Sequence, residues 1–318
     1  MQSSHRISGK TRAEIIQFSD TDDLLDIRYD NIFKAVFTRD TPASKGALSS
    51  LISALINRRV SVEAIVTNEP PVDDTNERSI RFDISCRAES GEQINIEMCF
   101  NPKPYEHERL EYFAAKLLTS QGIRGIDKSY SDLKDSYQIA ILGEKRLFPD
   151  DALVHTFQYY DAEHGVSLKG KTWIVTVELL KTETIIEKQP SEIDSREAWA
   201  CFLQYLTDRE KMGKINEILG REEGIAMAGE TLITISRDDR EQARLLSEEK
   251  YALDRQSDLV LAKREGRTEG LQIGRTEGLQ EGIQQSRQEI ARNLKTAGVS
   301  EDIISKTTGL SPEEIRLL

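Results

Sequence analysis

The sequence predicts an α/β fold that is followed by a helical C-terminal region. Three observations lead to this prediction. Apolar residues recur at three- and four-residue steps from 24 to 57, alternate with polar residues in short runs from 60 to 98, and return to helical spacing after residue 105. Strand-like runs continue up to Leu180, after which helical spacing dominates. Helices and strands mixed in this order are typical of α/β domains.

Three helices and six strands are predicted in this α/β part. The apolar stripe from Leu24 to Phe37 predicts a helix that ends before Thr41-Pro42, and similar stripes predict helices at 44–57 and 105–121. Alternating apolar and polar residues predict strands at 60–67, 80–84, 94–98, 137–142, 154–160 and 173–180.

The C-terminal region contains an internal repeat. Five glycines recur every four residues from Gly266 to Gly282, and the heptapeptide Gly-Arg-Thr-Glu-Gly-Leu-Gln occurs twice, at 266 and at 274. A glycine inside a helix costs about 0.8 to 1 kcal/mol relative to alanine. The repeat is therefore expected to be either a flexible charged linker or a helix that a partner backbone approaches closely.

The last residues predict short helices. Ser311, Pro312 and Glu314 form a helix start signal, with serine as the cap and proline in the first turn. The unit is similar to a small helix-turn-helix. Its acidic residues favour packing or oligomerisation over DNA reading, so a homo-oligomer formed through the helical C-terminal region is expected.

These patterns divide the chain into five predicted segments. They are a loose N-terminal arm (1–19), the α/β domain (20–212), a helical extension (213–265), the glycine-every-fourth segment (266–286) and a small helical tail (287–318).

Composition excludes several classes of protein. With 43 basic and 55 acidic residues the formal net charge is −12, which opposes non-specific attraction to nucleic acid or anionic lipid. No run approaches the roughly 18 to 20 apolar residues of a membrane helix, so no membrane partner and a cytoplasmic location are expected. The three cysteines lack the spacing of a disulfide framework or a zinc site.

A predicted hairpin carries the candidate chemistry. Gly91 suits a tight turn, and the register that this turn implies pairs Asp83 with Glu97 on the polar side of both strands. Opposed residues bring their Cβ atoms to about 4.5 to 5.5 Å, where like charges are destabilising without compensation. A Mg²⁺ (or Mn²⁺) ion would compensate them. The alternative is a solvated hairpin face on which two acids meet.

Four motifs in this order resemble one known family. They are Asp30-Asn-Ile-Phe-Lys-Ala-Val-Phe, Arg81-Phe-Asp83, Ile94-Asn-Ile-Glu97-Met-Cys99 and Arg109-Leu-Glu-Tyr-Phe-Ala-Ala-Lys. Together with the glycine-rich tail, they make the chain similar to the PD-(D/E)XK nuclease-like family of recombination-promoting nucleases and transposases. The resemblance spans about residues 20 to 206 and reappears in the tail.

The resemblance implies a restriction-endonuclease-like core, with a central mixed sheet flanked by helices, and metal-dependent cleavage of DNA. It makes Asp83 the metal-binding aspartate and Glu97 the acid of the E-x-Q or E-x-K motif. Asp30 matches the acid of the D-x-x-F-K element and would support the ion. Its alternative is an ordinary pair with Lys34, four residues further along the helix.

One departure from the family pattern is Cys99, which stands where glutamine or lysine is usual. A neutral thiol supplies no positive charge beside the reacting phosphate. Lys34 is the first choice as its substitute, because its ammonium sits on a long flexible stem. Lys103 and Arg109 lie just beyond the strand and are candidates for DNA contact, with plain surface charge as the alternative for Arg109.

The leading hypothesis is therefore a Mg²⁺-dependent DNA endonuclease with Asp83, Glu97, Asp30 and Lys34 at its catalytic site. Two other hypotheses stay open. The chain is either a catalytically inactive relative that acts as a DNA-binding or protein-interaction module, or a helical assembly protein whose glycine repeat is the functional element.

Overall fold

The computed structural model describes residues 16–19, 21–66, 82–123 and 128–318. The chain forms two compact units, Met1–Glu249 and Lys250–Leu318. Among the described helices, none has the length and apolarity needed to cross a lipid bilayer.

A six-stranded mixed sheet forms the centre of the first unit, in the order β1-β2-β3-β4-β8-β5. The strands are β1 (Val62–Ile65), β2 (Ile84–Ala88), β3 (Gln93–Cys99), β4 (Ser136–Leu142), β5 (Val154–Phe157) and β8 (Thr172–Glu178). The strands β3, β4 and β8 are parallel, whereas β1, β2 and β5 join by antiparallel pairing. Two short strands, β6 (Tyr160–Asp161) and β7 (Val166–Ser167), form a separate ribbon. The predicted mixed sheet is confirmed.

Helices cover both faces of this sheet. They are α1 (Asp30–Phe37), α2 (Pro42–Leu55), α3 (Glu106–Thr119), α4 (Ser195–Tyr205), α5 (Met212–Leu219) and α6 (Glu223–Arg237). The main core joins Phe33 of α1 and Trp199 of α4 to Ile94 and Ile96 of β3. On the opposite face, α3 lies over β3, β4 and β8. The side chains of β3 therefore alternate between the main core and α3, as the predicted alternation requires.

Three predicted boundaries are wrong. The helix predicted from Leu24 begins only at Asp30, because the Asp26 side chain accepts a 3.0 Å hydrogen bond from the backbone of Arg28 and holds a turn there. The strand predicted at 154–160 ends at Phe157 and is followed by β6. The strand predicted at 80–84 lies at Ile84–Ala88, where Cys86 and Ala88 continue the buried alternation; Ile80 and Arg81 fall outside the described residues.

The first unit extends beyond the segments that the sequence suggests. Within the arm predicted to be loose, Phe18 is buried and its N–H donates a 2.8 Å hydrogen bond to the side chain of Asn216. Ile215 and Leu232, from the predicted helical extension, are fully buried in the main core. The extension therefore contributes α5 and α6 to the first unit.

The division between the units falls inside α7 (Asp239–Thr296), which includes the whole glycine-every-fourth segment. The second unit ends with α8 (Glu301–Thr308) and α9 (Pro312–Leu317). Ser311 and Glu314 form the predicted capping box, and Ile304 and Ile315 are buried in a small core.

Candidate active site

The site begins at the β2–β3 hairpin. Gly91 adopts φ +94° in its turn, and Ile84 pairs with Ile96, which is the predicted register. Glu97 lies on β3 beneath α3 and is fully buried. Asp83 lies at a bend directly before β2, one step beyond the last residue pair.

The bend at Asp83 corrects one detail of the prediction. Phe82 does not share the face of Ile84. It packs against Phe113 and Leu117 of α3, whereas Ile84 enters the main core on the other side of the sheet. The chain therefore crosses the end of the sheet at Asp83, and this brings the carboxylate towards α1.

Helix α1 carries Asp30 and Lys34 to the same place. Lys34 Nζ lies 2.7 Å from Asp30 Oδ2 and 3.0 Å from Asp83 Oδ1. Burial raises the pKa of Asp83 to about 6, with a further upward contribution from Asp30 and an opposing one from Lys34. Burial acts to lower the pKa of Lys34, but the two carboxylates outweigh it and raise that pKa. The ammonium is thus held between two acids.

Glu97 is the most deeply buried acid of the site. Burial raises its pKa to about 8; Arg109 opposes this rise and Asp83 adds to it. Its Oε1 accepts a 3.3 Å hydrogen bond from the Asn95 amide. Its Oε2 lies 2.8 Å from Arg109 Nη2, yet among the described residues it has no aligned hydrogen-bond donor. This oxygen is therefore paired with the charge of Arg109, at an angle that does not form an aligned hydrogen bond.

Arg109 brings its guanidinium next to Cys99, the position at which the family usually has lysine or glutamine. From α3 its Nη1 lies 3.3 Å from Cys99 Sγ, and its Nη2 lies beside Glu97. The buried carboxylate of Glu106 lies 2.6 Å from Nη1 of Arg109. Sequence patterns did not indicate Glu106 as a site residue, because a glutamate in the first turn of a helix ordinarily lies at the surface. The guanidinium thus brings positive charge to the side chain of position 99.

Lys103 lies in the loop before α3. Its backbone N–H donates a 3.2 Å hydrogen bond to Glu106, and its side chain is exposed. The structure therefore brings Asp30, Lys34 and Asp83 together at the end of the sheet, and Glu97 and Arg109 together beneath α3.

The side chains fit a divalent cation of the magnesium type. The described residues contain no group of three or more histidine, cysteine or acidic side chains arranged to hold a metal. Magnesium commonly takes only one or two protein carboxylates and completes its shell with water and phosphate. The Oε2 of Glu97 is a hard oxygen of the kind that magnesium binds, and it lies 2.8 Å from the guanidinium of Arg109.

The mixed sheet with helices on both faces defines a restriction-endonuclease-like α/β domain. A family model described as PD-(D/E)XK nuclease family transposase matches residues 27–262, which include Asp30, Lys34, Asp83, Glu97 and Arg109. The chain belongs to this family. No curated protein and no solved structure matches it.

Family membership indicates a nuclease-type function, and PD-(D/E)XK nucleases generally use divalent metal ions and bind DNA.

Proposed function

We propose that this protein is a Mg²⁺- or Mn²⁺-dependent endonuclease that hydrolyses phosphodiester bonds in DNA. The observation that carries the proposal is the buried carboxylate of Glu97, whose pKa is raised by burial and by the nearby charge of Asp83 although Arg109 lies beside it. Two acids this close, one of them fully buried, are costly for folding alone even with Arg109 beside Glu97. A cation held by both acids would remove that cost.

Each residue of the site has a separate role in this proposal. Asp83 and Glu97 would hold the cation, and Asp30 would support it from α1. A bound Mg²⁺ would polarise the phosphodiester and lower the pKa of water. Lys34 keeps Asp30 and Asp83 in place through contacts of 2.7 and 3.0 Å and contributes positive charge near the phosphate.

Arg109 is proposed to replace the lysine or glutamine that the family carries at position 99. Its guanidinium lies beside both Glu97 and Cys99, and Glu106 holds it in that orientation. A fixed cation in a partly buried site stabilises negative charge that develops on a phosphate oxygen. This assignment shifts part of the role first given to Lys34 onto Arg109.

DNA contact is proposed to rest on a few cations close to the site. The exposed side chain of Lys103 lies on the loop before α3, and Arg109 is 30% exposed. The net charge of −12 makes broad electrostatic attraction unfavourable. Binding is therefore expected to be modest and to weaken steeply with salt.

Nicking of supercoiled plasmid tests this function. The purified protein should nick the plasmid in the presence of Mg²⁺ or Mn²⁺, and EDTA should abolish this nicking. The changes Asp83→Asn and Glu97→Gln should each lower the rate at least a hundredfold, a loss typical of catalytic groups. Glu92→Gln is the matched control, because Glu92 is a buried acid on the same hairpin that pairs with Arg58 away from the site. Undiminished nicking by both site variants would refute the assignment.

An inactive relative that binds DNA or a protein partner is the second candidate function. Cys99 favours it, because the usual motif residue is missing. DNA binding without metal-dependent nicking, unaffected by Glu97→Gln, would support this alternative.

Assembly through the helical C-terminal region is also proposed. The glycines from Gly266 to Gly282 on α7 have open space where a side chain would stand, and the neighbouring Leu271 and Leu279 are about two-thirds exposed. A second copy of the chain that packs along this surface would bury those leucines and approach the glycine backbone closely.

A further inference from the structure

A cavity lies within the first unit, on the side of α3 that faces β8 and β5. It encloses about 330 Å³, near the lower end of the roughly 300 to 1,000 Å³ that small-molecule sites occupy. Four of its described lining residues, His107, Phe148, Phe157 and Tyr159, carry aromatic rings. His107 and Phe148 are stacked with an interplanar angle of 8°, and Phe157 lies 5.3 Å from Phe148 between ring centroids. The cavity therefore suits a flat ring.

A buried polar residue also lines this cavity. Thr176 lines it and is fully buried, and its Oγ1 has no hydrogen-bond partner among the described residues. A buried hydroxyl without a partner is costly, so its presence here points to a ligand that bonds with it. Gln158 and Glu111 add an amide and a carboxylate to the same lining. The ligand is thus flat and carries hydrogen-bonding groups at its edge.

The sheet places this cavity close to the candidate active site. Glu97 pairs with Ala140 on β4, and Ala140 pairs with Thr176 on β8. Residues paired in this way face the same side of a sheet, and two strand spacings amount to about 10 Å. Glu97 and Thr176 therefore lie in one row beneath α3, about two strand spacings apart.

We propose that this cavity binds an unstacked nucleobase of the DNA substrate; the proposal rests on the nuclease function proposed above. Any of the four bases can stack on an aromatic side chain. The edges of the bases supply hydrogen-bond donors and acceptors for Thr176, Gln158 and Glu111. Among the described residues no lysine or arginine lines the cavity, and the carboxylate of Glu111 would repel a phosphate. The base therefore enters and the backbone stays outside.

Two basic side chains beside the cavity can bind the phosphate backbone of the DNA. Lys145 and Arg146 are exposed on the loop between β4 and β5, which also carries Phe148. A strand whose phosphates follow these cations would reach the candidate active site within a few nucleotides. This arrangement requires a base that is free of its partner, so the preferred substrate is single-stranded or locally opened DNA.

Fluorescence anisotropy tests the proposal in EDTA, where no cleavage occurs. The full-length protein should bind a labelled single-stranded oligonucleotide about tenfold more tightly than an abasic oligonucleotide of the same length, since stacking of one base accounts for roughly that factor. Phe157→Leu, which removes the ring, should abolish this difference, whereas Phe157→Tyr should keep it. Phe157 is 40% exposed, so neither change threatens the fold.

Thr176→Val is the second variant, and Tyr130→Ala, at an exposed aromatic outside the cavity, is the control. The valine should weaken binding of the base-bearing strand severalfold without lowering the melting temperature, because it removes an unpaired buried hydroxyl. Equal binding of base-bearing and abasic strands by a protein that nicks plasmid would overturn only the base site. A protein that neither binds nor nicks DNA would overturn the nuclease function as well.

Discussion

Arg109 Nη2 lies 2.8 Å from Glu97 Oε2, although the two residues come from different elements, α3 and β3. The contact joins a half-buried guanidinium to a fully buried carboxylate. Burial acts to lower the pKa of Arg109, but Glu97, Cys99 and Glu106 together outweigh it and raise that pKa. The arginine therefore stays charged in a place where the motif residue, Cys99, is neutral.

The first prediction is that Arg109 can be replaced by a lysine at the motif position. Arg109→Ala should lower the plasmid-nicking rate about a hundredfold, because it removes the fixed cation. Adding Cys99→Lys to that variant should restore part of the rate, because the lysine would fill the space left by the guanidinium. A double variant no more active than Arg109→Ala would contradict this role.

The second prediction concerns metal binding without catalysis. Mn²⁺ or Mg²⁺ should raise the melting temperature of the wild-type protein, because a ligand that binds only the folded state stabilises it. The shift should disappear in Asp83→Asn and in Glu97→Gln and persist in Glu92→Gln. Equal shifts in all four proteins would place the ion elsewhere.

The third prediction is a pH dependence of stability in the metal-free protein. Because the pKa of Glu97 rises from 4.5 to about 8 on folding, the folded state binds more protons than the unfolded state between these values. The free energy of unfolding should therefore fall as the pH rises from about 4.5 to about 8. Urea denaturation in EDTA measures it. Asp83, whose pKa rises to about 6, contributes to the lower part of this range, so Glu97→Gln should flatten the slope between about pH 6 and pH 8. An unchanged slope there would show that another group causes it.

The fourth prediction separates helix stability from assembly. Alanine at Gly270, Gly274 and Gly278 meets no neighbouring atom and should stabilise the isolated helix by about 1 kcal/mol at each position. If a second copy approaches this surface, the added methyl groups should nevertheless weaken the oligomer. Analytical ultracentrifugation and circular dichroism measure the two effects. A variant more helical and equally oligomeric would exclude the glycines from the interface.

The hairpin and its register were predictable from local sequence. Alternating residues assign Ile94 and Ile96 to one face and Asn95 and Glu97 to the other, and Gly91 sets where the chain turns. Both signals act over a few residues, so they do not depend on the rest of the fold. The capping box at Ser311 was predictable for the same reason.

The helix start at Asp30 was not predictable from spacing. Leu25 and Ile27 belong to the apolar stripe but are buried outside the helix, because the side chain of Asp26 accepts a hydrogen bond from the backbone N–H of Arg28 and holds a turn there. The crossing of Phe82 to the α3 face was likewise hidden, since the alternation of apolar residues continues through it.

The sequence by itself determined which acids share a hairpin, because strand pairing over a short turn depends on residue count and side-chain alternation. Only the tertiary structure decided which cations meet those acids. Lys34 reaches Asp83 from α1, and Arg109 reaches Glu97 from α3. These contacts join segments that are separate in the chain, and the packing of helices on the sheet, which no local pattern encodes, brings them within bonding distance.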